Sequence, residues 1–170
     1  MSERLRSQVK LSLLHRDGGI LALDLGTRLG WAARMPPPLE NVEHGVMEFK
    51  NTRYEGGGMQ WVRFRHWLGE ILFKTRAQRV VYEQVRGHVG TTAAHAYGGF
   101  LSHLAEYCEG AVIPYHGVDV GTIKKFATGK GNAGKDAVIL AMRQRGYAPK
   151  DNNDADALAM LFCVEESEKW

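Results

Sequence analysis

Short, almost wholly apolar runs alternate with amphipathic stretches along the chain, and each kind points to a different element. Gly19-Ile20-Leu21-Ala22-Leu23-Asp24 is apolar up to its last residue and is stopped by Gly26, the pattern of a strand buried on both faces. After the turn Gly26-Thr27-Arg28, the run from Leu29 to Met35 can return antiparallel. Pro36-Pro37-Pro38 ends it, because proline has no N–H to give to a ladder. Val42 to Phe49 alternates in period two and completes a meander. Behind the joint Gly56-Gly57-Gly58, Val62, Trp67, Leu68, Ile71 and Leu72 recur at helical spacing from Met59 onward. Arg79-Val80-Val81-Tyr82-Glu83 reads as a fourth strand and Ala111 to Tyr115 as a fifth. Between them Gly90 to Glu109 forms a second helix, with Phe100, Leu101, Leu104, Tyr107 and Cys108 on one side. Three further helices are predicted at Gly121 to Ala127, Lys135 to Arg145 and Asn153 to about Glu165. The order describes an α/β domain built on a mixed five-stranded sheet.

Composition narrows this to one unit. A chain of 170 residues, 44% hydrophobic, supplies one substantial core and is short for two. We divide it into an N-terminal extension, residues 1–17, and a single domain, residues 18–170. No run approaches the eighteen or so apolar residues of a membrane span, and Leu11 to Leu14 is too short for the apolar part of an export signal. Cys108 and Cys163 lie in apolar helical segments, as a reducing compartment permits, so the expected location is the cytoplasm. The net charge of +3 is unevenly spread. From Gly117 to Lys150 seven basic residues face two acids, whereas from Asp151 to Trp170 six acids face Lys169 alone. A basic stretch running into a carboxylate cluster suits a protein that binds a polyanion and holds metal ions beside it, and equally a solvated basic face followed by an acidic tail.

The acids that close the strands carry the candidate chemistry. Asp24 and Glu83 each end a hydrophobic strand, where a charge without a partner is costly. If the strands are neighbours the carboxylates converge, and two such charges about 5 Å apart repel by roughly 3 kcal/mol at an effective dielectric near 20. A cation between them relieves this, and all-oxygen ligands favour Mg²⁺ or Mn²⁺. The structural alternative is a turn cap, or an ion pair with Arg28 or Arg86. Asp151, Asp154 and Asp156 compete for a third position. On a helix Asn153 and Asp156 lie within about 60° of each other, and Asp154 about 160° from Asp156, so one face cannot carry both aspartates. Asp156 is favoured because Ala157, Ala159, Met160 and Cys163 pack around it. Asp154 then falls in the first turn, where the helix dipole favours an acid without any catalytic role. A purely structural reading makes Asn153 the N-cap, with Asp156 completing a weak capping box.

Gly129-Lys130-Gly131-Asn132-Ala133-Gly134-Lys135 fits seven positions of a P-loop. Asp136 stands where a Ser or Thr is required, and a helix rather than a strand precedes it. A glycine-rich turn beside Lys124, Lys125, Lys130 and Lys135 still suits a phosphodiester backbone. Asp24-Leu25-Gly26-Thr27 also matches the first phosphate motif of actin-like kinases, whose two-lobed fold the chain is too short to build. His88, just after the Glu83 strand, is a weaker candidate for contact with DNA, and no His/Cys set has zinc-ligand spacing.

Ile20-Leu21-Ala22-Leu23-Asp24-Leu25-Gly26-Thr27, Val80-Val81-Tyr82-Glu83, the turn ending in Lys135 and Asp156-Ala157-Leu158-Ala159 together resemble the RuvC family of Holliday junction resolvases, its phage-borne branch above all. The resemblance spans about residues 19–165. It implies an RNase H-like fold, a homodimer built largely on the second helix, and Mg²⁺-dependent nicking of paired strands at a four-way DNA junction. It implies that Asp24, Glu83 and Asp156 bind metal, joined by Asn153, whose neutral amide oxygen can coordinate where the family usually carries an acid or histidine, and that Lys124 and Lys135 stand beside the site. Where the family often carries an aromatic after the strand-ending Glu, this chain reads Gln84-Val85-Arg86-Gly87-His88. That leaves either Arg86 to part the strands or an enzyme that acts on other branched DNA. The reading is a two-metal DNA endonuclease leaving 5′-phosphate and 3′-hydroxyl ends, with Lys135 offsetting charge on the phosphate and Arg86, His88, Lys124, Lys125 and Lys130 contacting DNA. An RNase H-like nuclease for RNA–DNA hybrid, a non-catalytic junction-binding module and a small actin-like phosphotransferase are the competing readings.

Overall fold

The computed structural model describes residues 18–87 and 90–167. The N-terminal extension and His88 lie outside them. Five strands, β1 (Gly19–Asp24), β2 (Arg28–Arg34), β3 (Val42–Glu48), β4 (Ala77–Gln84) and β5 (Tyr115–Asp119), form one sheet in the order β3-β2-β1-β4-β5. The helices are α1 (Met59–Thr75), α2 (Thr91–Ala111), α3 (Val120–Thr128), α4 (Lys135–Gln144) and α5 (Asn152–Ser167). β1 pairs antiparallel with β2, and β2 with β3, as the meander requires, while β1–β4 and β4–β5 are parallel. The expected mixed sheet flanked by helices is therefore the fold observed.

One predicted element is displaced. Ala111 to Ile113 do not form a strand: Ala111 ends α2, and Val112 closes the helix in the left-handed region at φ 56°. The N–H groups of Val112 and Ile113 donate to the carbonyls of Glu109 and Cys108, so both are spent on the last helical turn. Pro114 offers the sheet only its carbonyl, which accepts the Val80 N–H at 2.9 Å. The strand begins at Tyr115, and its half-buried edge position lacks the continuous apolar run by which β1 announces itself.

The alternation of β1 divides the core. Leu21 and Leu23 point to a cluster closed by α1 and α2, in which Phe49, Phe64, Trp67 and Phe100 meet edge-on or tilted. Ile20 and Ala22, with Val81 of β4, point to the opposite face, where α5 lies between the sheet and α3–α4. α5 is buried almost all round from Asp154 to Val164, and Ala155, Ala157 and Ala159 let it approach the strands. The approach is closest at Gly30 on β2, where a Cβ would lie 1.9 Å from the carbonyl oxygen of Asn153. Both cysteines are buried and free. Among the described residues no helix is long and apolar enough to cross a membrane.

Candidate active site

Three elements bring the sequence-predicted acids together. Leu23 pairs with Tyr82, so the parallel register sets Asp24 beside Glu83 at the ends of β1 and β4. By parity both side chains follow Ile20, Ala22 and Val81 to the face covered by α5. α5 supplies Asp156, nearly one turn beyond Asn153, where Gly30 admits the helix. All three acids are half-buried.

Their electrostatics show a shared site. Burial, then the charges of Glu83 and Asp156, hold the Asp24 carboxyl well above the usual carboxylate range, against the pull of Lys135. Burial and the charge of Asp156 raise Glu83 to about 7, opposed by Lys124 and Lys135. Asp156 is raised to about 6, mainly by burial, with the same two lysines pulling it down. Lys124 comes from α3 and Lys135 is the first residue of α4, so helices on one side of the sheet deliver both cations. Among the described residues no hydrogen bond or ion pair reaches the carboxylate oxygens of Asp24, Glu83 or Asp156. Neither arginine weighed as a structural partner is used for them. Arg28 pairs with Asp151 at 2.6 Å and with Glu48, and Arg86 holds Asp119 with two bonds of 2.9 Å.

The first turn of α5 differs from its expected form. The cap is Asp151, not Asn153: Asp151 Oδ1 accepts the Asp154 N–H at 3.0 Å. Asn153 instead donates to the Arg28 carbonyl at 2.8 Å and accepts from Asn152 at 2.7 Å, which ties the helix start to β2. Asp154 does lie away from Asp156, as the helical angle requires, but it is fully buried rather than a solvated first-turn acid. His44 Nδ1 of β3 lies 2.8 Å from its Oδ1, and the Lys150 N–H donates to Oδ2 at 2.8 Å. Sequence reasoning missed His44 as its partner, although period-two alternation already placed His44 on one face with Val42 and Val46. It also missed Tyr97 of α2, whose hydroxyl donates to the Glu83 carbonyl at 3.0 Å and accepts the Val85 N–H at 3.3 Å, clamping the chain around that acid.

Of the remaining candidates, Lys125, Lys130 and Arg86 are exposed. Gly129–Lys135 connects α3 to α4, with no strand before it, so it is not a P-loop. Among the described residues no group of three or more His, Cys, Asp or Glu side chains is drawn together closely enough to hold a metal ion. Asp24, Glu83 and Asp156 form an open, all-oxygen set without donors, whose mutual repulsion a divalent cation would relieve, and they fit such an ion.

Thermus thermophilus RuvC in complex with a Holliday junction substrate superposes with a TM-score of 0.75 at 22% identity, covering 89% of this chain and 95% of that one. The chain has the RuvC type of RNase H-like fold. A second T. thermophilus RuvC structure gives 0.67 at 22% identity, over 85% and 92% of the two chains. The yeast mitochondrial Holliday junction resolvase Ydc2 gives 0.59 at 14% identity, over 94% and 88%. No protein-family model and no curated protein matches the chain. In this fold Asp24 and Glu83 stand at the ends of parallel β1 and β4, on the face that α5, carrying Asp156, covers.

Proposed function

We propose that this chain is a structure-selective DNA endonuclease that resolves four-way junctions and related branched DNA as a homodimer, one active site for each of two paired nicks. The observation that carries this reading is the set of three half-buried, mutually repelling carboxylates without hydrogen-bond donors in a chain folded like a RuvC bound to a junction. Asp24, Glu83 and Asp156 would hold Mg²⁺ or Mn²⁺. Bound divalent metal supplies activation of the attacking water and stabilisation of the leaving 3′ oxygen, giving 5′-phosphate and 3′-hydroxyl ends.

The other residues have distinct tasks. Lys135 and Lys124, already acting on the acids, lower the negative potential that a DNA phosphate meets on entering the site. Exposed Lys125 and Lys130 extend this cationic surface along the backbone of the bound arms. Arg86, held by Asp119 just past the ends of β4 and β5, offers an exposed guanidinium to DNA. Tyr97 holds the Glu83 backbone, and the Asn153 and Asp151 contacts fix the turn of α5 that carries Asp156.

The test is a substrate panel in Mg²⁺ and in EDTA: immobile four-way junction, linear duplex, Y-fork and RNA–DNA hybrid. Symmetric paired nicks confined to branched DNA, and absent in EDTA, are the expected result. Cutting of the hybrid with the junction left intact would assign the site to RNA–DNA hydrolysis, and junction binding without cutting in any metal would make the chain a recognition module.

A further inference from the structure

Between β3 and α1 the chain builds a small, fully braced turn whose only projecting aromatic faces solvent. Glu55 N–H donates to the Thr52 carbonyl at 3.2 Å, closing a four-residue turn with Arg53 and Tyr54 at its corners. The Glu55 carboxylate accepts the Thr52 N–H at 2.7 Å and receives Arg63 Nη1 at 2.6 Å. Arg63 Nη2 also donates to the Lys50 carbonyl at 2.8 Å and to Asn51 Oδ1 at 3.2 Å, and Asn51 donates to the Gly57 carbonyl at 3.0 Å. One guanidinium from α1 thus fixes both arms of the loop. Tyr54 is 92% exposed, the most exposed large apolar side chain among the described residues, with the Arg53 guanidinium 6.0 Å from its ring centroid.

The loop stands at the reactive end of the sheet. β3 runs parallel to β1 through two antiparallel pairings, so Glu48 ends on the side where Asp24 and Glu83 end. Phe49 N–H donates at 2.8 Å to the carbonyl of Thr27, in the turn that follows Asp24, and Arg28 links Glu48 to Asp151 at the cap of α5. A rigid loop that spends six polar contacts to hold an aromatic face in water is built to receive a second flat surface. Base–aromatic stacking is that interaction on single-stranded or unstacked nucleic acid, and an adjacent arginine adds attraction to phosphate.

We propose that Tyr54 is a substrate-positioning residue that stacks on a nucleobase left unstacked at the branch point, with Arg53 on the neighbouring phosphate. The inference rests on the junction-nuclease reading above. Tyr54 sets which branched DNA is held in register, and it takes no part in the chemistry.

The experiment titrates wild type, Tyr54→Ala, Tyr54→Phe and Arg63→Ala onto a four-way junction carrying 2-aminopurine at the exchange point, and onto linear duplex, in EDTA. Wild type should quench the probe. Tyr54→Ala should lose the quenching and weaken junction affinity roughly five- to a hundredfold, the range expected for one lost base stack, with duplex affinity unchanged. Tyr54→Phe should restore both, and Arg63→Ala should reproduce the loss with Tyr54 still present. Wild-type quenching and affinity in Tyr54→Ala would overturn the proposal, as would an equal loss on junction and duplex, which would make Tyr54 a backbone contact. A wild type that binds junction and duplex alike would remove the junction-selective reading on which this inference rests, and the inference with it.

Discussion

Asp154 and Asp156 lie two residues apart on α5, are both withdrawn from water, and meet opposite surroundings. Asp154 points toward β3 and is fully satisfied: His44 and the Lys150 N–H serve its two oxygens, and it sits in the first helical turn, where the helix dipole favours a negative charge. Asp156 points toward β1 and β4, receives no donor among the described residues, and adds its charge to those of Asp24 and Glu83. A buried carboxylate with every oxygen partnered holds a fold together. One left without donors and faced by its like raises the energy of the folded chain until a ligand arrives.

Substitutions should separate the two aspartates cleanly. Asp156→Asn removes the charge from the open site, and junction cleavage should fall by on the order of a thousandfold, several kcal/mol of lost transition-state stabilisation, with the melting temperature unchanged or raised. Asp154→Ala strands His44 and the Lys150 N–H, and should cost about 3 kcal/mol in urea unfolding while the folded fraction still cuts. If the two phenotypes were exchanged, the assignment of roles along α5 would be wrong. Gly30→Ala tests the approach that positions both acids. Its Cβ meets backbone of Asn153 that cannot swing away, so about 2 kcal/mol of stability should be lost, together with activity in the folded fraction as Asp156 is displaced.

The smallest effect is on pH dependence, and its sign follows from the raised values. An acid whose folded pKa exceeds its unfolded one contributes stability below the unfolded value that disappears as pH rises through the folded value. Glu83 moves from 4.5 to about 7 and Asp156 from 3.8 to about 6. The metal-free protein should therefore lose stability as pH rises from about 4 to 8. Thermal melts should show a shallower slope for Asp24→Asn, and Mg²⁺ should restore more stability at pH 8 than at pH 5.

Much of this was legible in the sequence because it is local. Apolar runs ending in acids mark β1 and β4, and the 100° step of a helix already separates Asp154 from Asp156. The fifth strand was misplaced because the apolar residues Ala111 to Ile113 complete a helix end, while the true edge strand is only half-buried. His44 and Asp154 are 110 residues apart in sequence, and Tyr97 reaches Glu83 from another element, so neither tie leaves a local pattern to find. From the sequence Asp151 reads only as a candidate ligand. Its role as cap and as partner of Arg28 depends on the close approach at Gly30, which composition does not announce.

The most direct test is single-turnover cleavage of an immobile four-way junction by wild type and Asp24→Asn, in Mg²⁺ and in EDTA. The charges of both Glu83 and Asp156 act on Asp24. The account predicts paired nicks from wild type only with metal, and no nicks from Asp24→Asn, which should bind the junction at least as tightly because one repelling charge is gone. Cleavage by Asp24→Asn at the wild-type rate would contradict it.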